Sequence, residues 1–115
     1  MIKHRVYIPI YGCYLTIIVA EEFEKAVALY DTSESNYKAT DAVVITIIDK
    51  KTAIKENIYI QRPQITYGEI AHEAKHIVNR IFQDKSIELD RFNDEAECYL
   101  LSYIVDKIIE NINKK

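Results

Sequence analysis

Residues 66–82 read TYGEIAHEAKHIVNRIF, and this stretch decides how the chain folds. Its apolar residues recur at helical spacing, which predicts an amphipathic helix with one side against a core. Thr66 and Glu69 match a capping box, and Ile65 and Ile70 are spaced as a hydrophobic staple. The sequence therefore predicts a helix that begins directly after Thr66.

Within this helix, residues 72–76 spell HEAKH, an HExxH motif. Residues four apart lie on one helix face, so His72 and His76 can bind one tetrahedral zinc ion. Glu73 would lie beside the ion, where its carboxylate can accept a proton from coordinated water. The alternative is an ordinary amphipathic helix with two surface or half-buried histidines and a solvated glutamate. Zinc is preferred over Fe(II) or Mn(II), which similar donors also bind.

A catalytic zinc needs a third protein ligand, and a second predicted helix at residues 93–112 begins with three acids. Glu95 is favoured, then Glu97, then Asp94. Glu97 shares a face with apolar residues such as Leu100, whereas Glu95 lies on a polar edge beside that face. The alternative role of these acids is to stabilise the helix N-terminus, which Asn93 or Asp90 is expected to cap. His4, in the N-terminal arm, is a poor candidate.

The remaining pattern predicts a single α+β domain over residues 1–115. Strands are expected at residues 6–8 and 14–19, followed by a short helix at 21–30 and a polar loop at 31–40. The β-branched run at 42–48 is typical of a central strand. Residues 57–62 precede Pro63, which either ends a strand here or places it at an edge of the sheet, and this strand could align an extended substrate.

Composition excludes several functional classes. The net charge is −3 and the basic residues are scattered, so nucleic-acid binding is not expected. Residues 6–20 are too short for a membrane span and are interrupted by Pro9 and Gly12, which favours strands over a signal peptide. Cys13 and Cys98 lack the spacing of a metal knuckle and are predicted to be buried, reduced thiols. A cytoplasmic protein is expected.

The motif and its spacing resemble a known family. HEAKH followed by Glu95 on the next helix resembles the gluzincin arrangement of zinc metallopeptidases. HEAKHIVNRIF and NDEAECYLLSYI also resemble small phage and prophage proteins that pair these two helices. Residues 66–106 carry the resemblance. It implies a minimal zincin-like domain, in which a small mixed or antiparallel sheet supports an HExxH active-site helix and a C-terminal glutamate helix.

The resemblance also implies roles for individual residues. His72, His76 and Glu95 would hold Zn²⁺, and Glu73 would be the general base for peptide-bond hydrolysis by a zinc-bound water. Where many gluzincins keep an aspartate, four residues after the glutamate ligand, this chain has Tyr99. Since a chain of this size has no second lobe, a homodimer or a protein partner would complete the cleft around a peptide or protein substrate. The alternative function is a non-catalytic zinc-binding or interaction protein of phage or mobile-element origin, with a vestigial or structural metal site.

Overall fold

The computed structural model describes residues 1–31 and 40–114. It confirms the α+β class. The predicted polar loop falls mainly on residues 32–39, which lie outside the described residues. The elements, in chain order, are β1 (Ile2–Ile8), β2 (Cys13–Val19), α1 (Phe23–Ala28), β3 (Ala42–Ile48), β4 (Lys55–Gln61), α2 (Tyr67–Asp84) and α3 (Glu95–Ile112).

The four strands form one mixed sheet in the order β1-β2-β4-β3. β1 and β2 are an antiparallel hairpin, β2 and β4 run parallel, and β4 and β3 are antiparallel. The hairpin turn contains Gly12 with a φ of 62°, in the left-handed region that glycine adopts without a Cβ penalty. The parallel pair follows from the crossover between β2 and β4, which includes α1 and β3.

The prediction that residues 42–48 form a central strand was wrong, and so was the edge position considered for residues 57–62, whereas the alternative that Pro63 ends this strand is confirmed. β4 lies between β2 and β3, and each of its residues from Asn57 to Gln61 is at most 5% exposed. Pro63 follows the end of β4 and so removes no hydrogen bond from the ladder. β3 is the edge strand instead. Its burial alternates along the chain, as expected for a strand with only one well-covered face.

The helices α2 and α3 pack on one face of the sheet and enclose the main core. α2 begins as predicted, because the Thr66 hydroxyl accepts from Glu69 N at 3.1 Å and Thr66 N donates to the Glu69 carboxylate at 3.2 Å. The largest fully buried side chains of this core are Ile8, Leu15, Ile17, Tyr59, Ile70, Ile77, Ile104 and Ile108.

The start of α3 and the environment of one cysteine differ from the predictions. Asp94 is the N-cap and makes no side-chain capping bond, so the predicted cap by Asn93 or Asp90 was wrong. The Asp90 carboxylate accepts from Phe92 N at 2.9 Å, which fixes the preceding turn instead. Both cysteines are free, and Cys13 is buried as predicted. Cys98 is exposed because it lies outside the apolar stripe of α3.

The opposite face of the sheet carries a second, smaller core. It is covered in part by α1, which is shorter than the predicted helix and buries Phe23, Ala26 and Val27. Among the described residues, no helix is both long enough and apolar enough to cross a membrane.

Candidate metal centre

The two motif histidines lie one turn apart on the exposed face of α2. Their Nε2 atoms are 3.3 Å apart, and the rings stand nearly perpendicular at an angle of 75°. Two zinc–nitrogen bonds of about 2.0–2.1 Å that meet at the tetrahedral angle place their nitrogens about 3.3–3.4 Å apart. The His72 and His76 pair therefore fits two positions of a zinc coordination sphere. The same separation also allows one neutral imidazole to donate to the other.

Glu73 lies on the side of α2 that faces the sheet, and it is half-buried. Burial raises the pKa of Glu73, while the nearby His76, His72 and Arg80 act in the opposite direction. This carboxyl group therefore holds its proton more strongly than a solvated glutamate does.

Tyr59 of β4 is a neighbour of Glu73 that the sequence analysis did not single out. The ring is fully buried, and its hydroxyl donates to Gln61 Oε1 at 2.7 Å. The pKa of Tyr59 is raised, first by burial and then by the charges of Glu73 and Glu69. Tyr59 therefore stays neutral beneath α2. A tyrosine in an apolar strand gives no sequence signal for this position, because the pairing of β4 with the motif helix is a property of the tertiary fold.

A cleft of about 460 Å³ separates the start of β3 from the N-terminal half of α2. Its wall includes His72 and Glu73, so the histidine pair adjoins the cleft. Asp41 and Glu69 share a hydrogen bond, which raises the pKa of Asp41 and lowers that of Glu69. The complete lining is Thr40, Asp41, Ala42, Thr66, Gly68, Glu69, His72 and Glu73.

The strand beside this cleft is β3, and the register shows which of its backbone groups face outward. Asp41 O accepts from Arg62 N at 2.9 Å, so Asp41 faces the β4 side. Because facing alternates along an antiparallel ladder, Ala42 and Val44 direct their N–H and C=O groups away from β4. Arg80 Nη1 of α2 donates to Val44 O at 2.7 Å. The backbone of Ala42 thus lies at the cleft on the open edge of the sheet.

The acids at the start of α3 differ in their relation to α2. Glu95 is exposed, whereas the Glu97 side chain is 19% exposed and forms an ion pair with Lys75. From the sequence, Glu97 was disfavoured as a ligand because it shares a helix face with Leu100. The same position on α3 turns its side chain toward α2. Throughout residues 1–31 and 40–114, no group of three or more His, Cys, Asp or Glu side chains is placed to hold a metal ion. The structure brings His72 and His76 together without Glu95 or Glu97.

The third histidine lies elsewhere. His4 is in β1, at the edge of the sheet opposite to β3, and its Nε2 atom is buried without a hydrogen-bond partner among the described residues.

No protein-family model, no curated protein and no solved structure matches this chain. The HExxH motif and the geometry of the residues around it are therefore the basis for assigning a function.

Proposed function

We propose that this protein is a zinc-dependent metallopeptidase of the gluzincin type, in which His72 and His76 bind the ion and Glu73 is the general base. The observation that carries this proposal is the 3.3 Å separation of the two Nε2 atoms, which fits one zinc ion. The position of Glu73 supports it, because that side chain lines the cleft together with His72 and lies close enough to both histidines for their charges to act on it. A minimal zincin-like domain is the fold that this proposal assigns to the α+β architecture.

The chemistry divides between the ion and the protein. A zinc ion at this site would supply Lewis acidity toward the peptide carbonyl and the attacking water. Glu73 accepts the proton of that water and then donates it to the leaving amine. A carboxyl group whose pKa is raised by burial suits this role, because it must hold the proton between the two transfers.

The open edge of β3 is the proposed place for an extended peptide. Ala42 presents outward-facing backbone groups at the cleft, and main-chain pairing there would lay a substrate strand across His72 and Glu73. This role replaces the one predicted for residues 57–62, since β4 has strands on both sides. A homodimer or a protein partner is proposed as the second wall, because the histidine pair is exposed.

The third ligand is proposed to come from the first turn of α3. Glu95 is the residue implied by the gluzincin resemblance, and Glu97 is the acid that contacts α2. Substrates are proposed to be peptides or proteins, with no role for nucleic acid or a membrane. The cytoplasm is the proposed location, which agrees with two free thiols.

The test compares wild type with Glu73→Gln, using zinc titration by calorimetry and cleavage of a peptide library read by mass spectrometry. We expect one zinc ion in both proteins and cleavage by wild type alone, with a loss of at least about 100-fold in the variant. Glu88→Gln, at an exposed position of the α2–α3 connection, is the matched control and should cleave normally. Absence of zinc binding by wild type would refute the proposal.

A non-catalytic zinc-binding or interaction protein of phage or mobile-element origin is the second candidate. It is favoured by the exposure of both histidines and by the position of Glu95 away from them. In that case zinc would bind and raise the melting temperature, while wild type and Glu73→Gln would both leave the peptide library intact.

A further inference from the structure

The ion pair between Lys75 and Glu97 joins α3 to the stretch of α2 that carries the histidine pair. On a helix, residues three and four apart are neighbours. Lys75 follows His72 by three residues, and Asn79 follows His76 by three and Lys75 by four. These four residues thus form one continuous patch on α2. Lys75 Nζ donates to Asn79 Oδ1 at 2.8 Å within this patch and contacts the Glu97 carboxylate from α3.

Lys75 and Glu97 differ in how far their side chains are exposed to solvent. The Glu97 side chain is 19% exposed and the Lys75 side chain is 40% exposed. The ammonium group can therefore turn toward Asn79 and water at a small cost, because an ion pair of this exposure contributes little to stability. Glu97 is the more buried partner and lies at the α2–α3 interface. Glu95, two residues earlier, is exposed and makes no hydrogen bond or ion pair with the described residues of α2.

We propose that Glu97 is the third metal ligand and that Lys75 is a built-in competitor for it. Without zinc, the Lys75 ammonium neutralises the Glu97 carboxylate and holds it against α2. When zinc binds to His72 and His76, the carboxylate transfers from the ammonium to the ion. This inference rests on the proposed function, because it assumes that the histidine pair binds zinc.

The competition sets the zinc affinity of the site. Binding must break the ion pair, so the protein binds zinc more weakly than it would with an uncharged residue at position 75. Zinc would occupy the site only at concentrations high enough to displace the ammonium group. Lys75 therefore raises the zinc concentration that activation requires. A charge-free side chain of similar length, as in Lys75→Met, removes the competitor while retaining the apolar stem.

The experiment is a double-mutant cycle with zinc chloride as the titrant and the dissociation constant as the readout. Glu97→Gln should weaken zinc binding by about tenfold or more, and Glu95→Gln should change it by less than about twofold. Lys75→Met should tighten binding by about three- to tenfold in the wild-type background. In the Glu97→Gln background the same change should have no effect beyond about twofold.

Lys107→Met is the matched control, since it removes a lysine from an exposed ion pair with Glu110 on α3. It should leave zinc affinity unchanged. If Lys75→Met tightens binding equally with and without Glu97, the ammonium acts by repulsion alone and the inference is overturned. It is also overturned if Glu95→Gln causes the larger loss, although the proposed function would then stand. Wild type that binds no zinc would overturn both. Lys75→Gln replaces the methionine variant if the latter does not fold.

Discussion

Arg80 Nη1 donates a 2.7 Å hydrogen bond to Val44 O and thereby ties the motif helix to the edge strand of the sheet. The same nitrogen lies 3.3 Å from Thr46 Oγ1, and that hydroxyl donates to Asn57 Oδ1 at 2.8 Å. The contact fixes α2 against β3 and occupies an outward carbonyl of the edge strand. The backbone groups of Ala42, next to the cleft, are not used by this contact, whereas pairing of a docked strand at Val44 O is blocked by it.

Replacement of Arg80 by methionine should destabilise the protein. The change removes a charge-assisted hydrogen bond and leaves Val44 O without its partner, so we expect the free energy of unfolding to fall by about 1–2 kcal/mol. Urea denaturation followed by circular dichroism measures this change. Arg91→Met, at an exposed position of the α2–α3 connection, should shift it by less than about 0.5 kcal/mol. Equal effects of the two substitutions would show that the Arg80 bond contributes nothing.

Replacement of Thr66 by alanine should weaken the N-terminus of α2. Its hydroxyl accepts from Glu69 N at 3.1 Å, and without it that amide loses its partner. We expect a loss of about 1 kcal/mol in the same denaturation assay, and recovery of most of it with Thr66→Ser. Ser102→Ala removes a hydroxyl from an exposed position in the middle of α3 and is the control. A Thr66→Ser variant as unstable as Thr66→Ala would argue against capping as the cause.

The two thiols should react at different rates. Cys98 is exposed, and its pKa is raised by partial desolvation and by nearby acids including Asp94. Cys13 is buried, and burial also raises its pKa. Native protein treated with iodoacetamide at mildly alkaline pH should therefore gain one label, at Cys98, and a second only in denaturant. Peptide mapping by mass spectrometry identifies the site, and early labelling of Cys13 would contradict the buried position of that thiol.

The features that the sequence predicted well depend on neighbours along the chain. The start of α2 was predictable because Thr66 and Glu69 bond within a single helical turn. The spacing of His72 and His76 on one face also follows from helix geometry alone. Local rules are enough for such features, since the groups that interact are at most four residues apart.

The features that were missed depend on pairing between distant segments. The order of β3 and β4 could not be read from composition, because a β-branched run suits an edge strand as well as a central one when helices cover one face. The position of Glu97 was judged from its own helix, where it lies in an apolar register. Its partner, Lys75, is on another helix, and no periodicity within α3 indicates it. The contact follows from how α2 and α3 pack.

Glu73→Gln should change stability in a pH-dependent way when zinc is removed with EDTA. Burial raises the pKa of Glu73, so the folded protein binds this proton more tightly than the unfolded chain. The stability that this proton contributes is fully present below the ordinary carboxyl pKa and is lost as pH rises through the raised value. Glutamine cannot ionise. The variant should therefore be more stable than wild type near about pH 7, and the advantage should disappear near about pH 4.

The expected advantage at neutral pH is below about 1 kcal/mol, because Glu73 is half-exposed and water screens its charge. Urea denaturation at both pH values measures it, with the exposed Glu88→Gln as a control whose stability relative to wild type should not change in this way with pH. If Glu73→Gln is instead the less stable protein at neutral pH, the attraction of His72, His76 and Arg80 for the carboxylate outweighs the cost of its burial. The carboxyl group would then favour its ionised form, and burial would no longer explain how it holds a proton during catalysis.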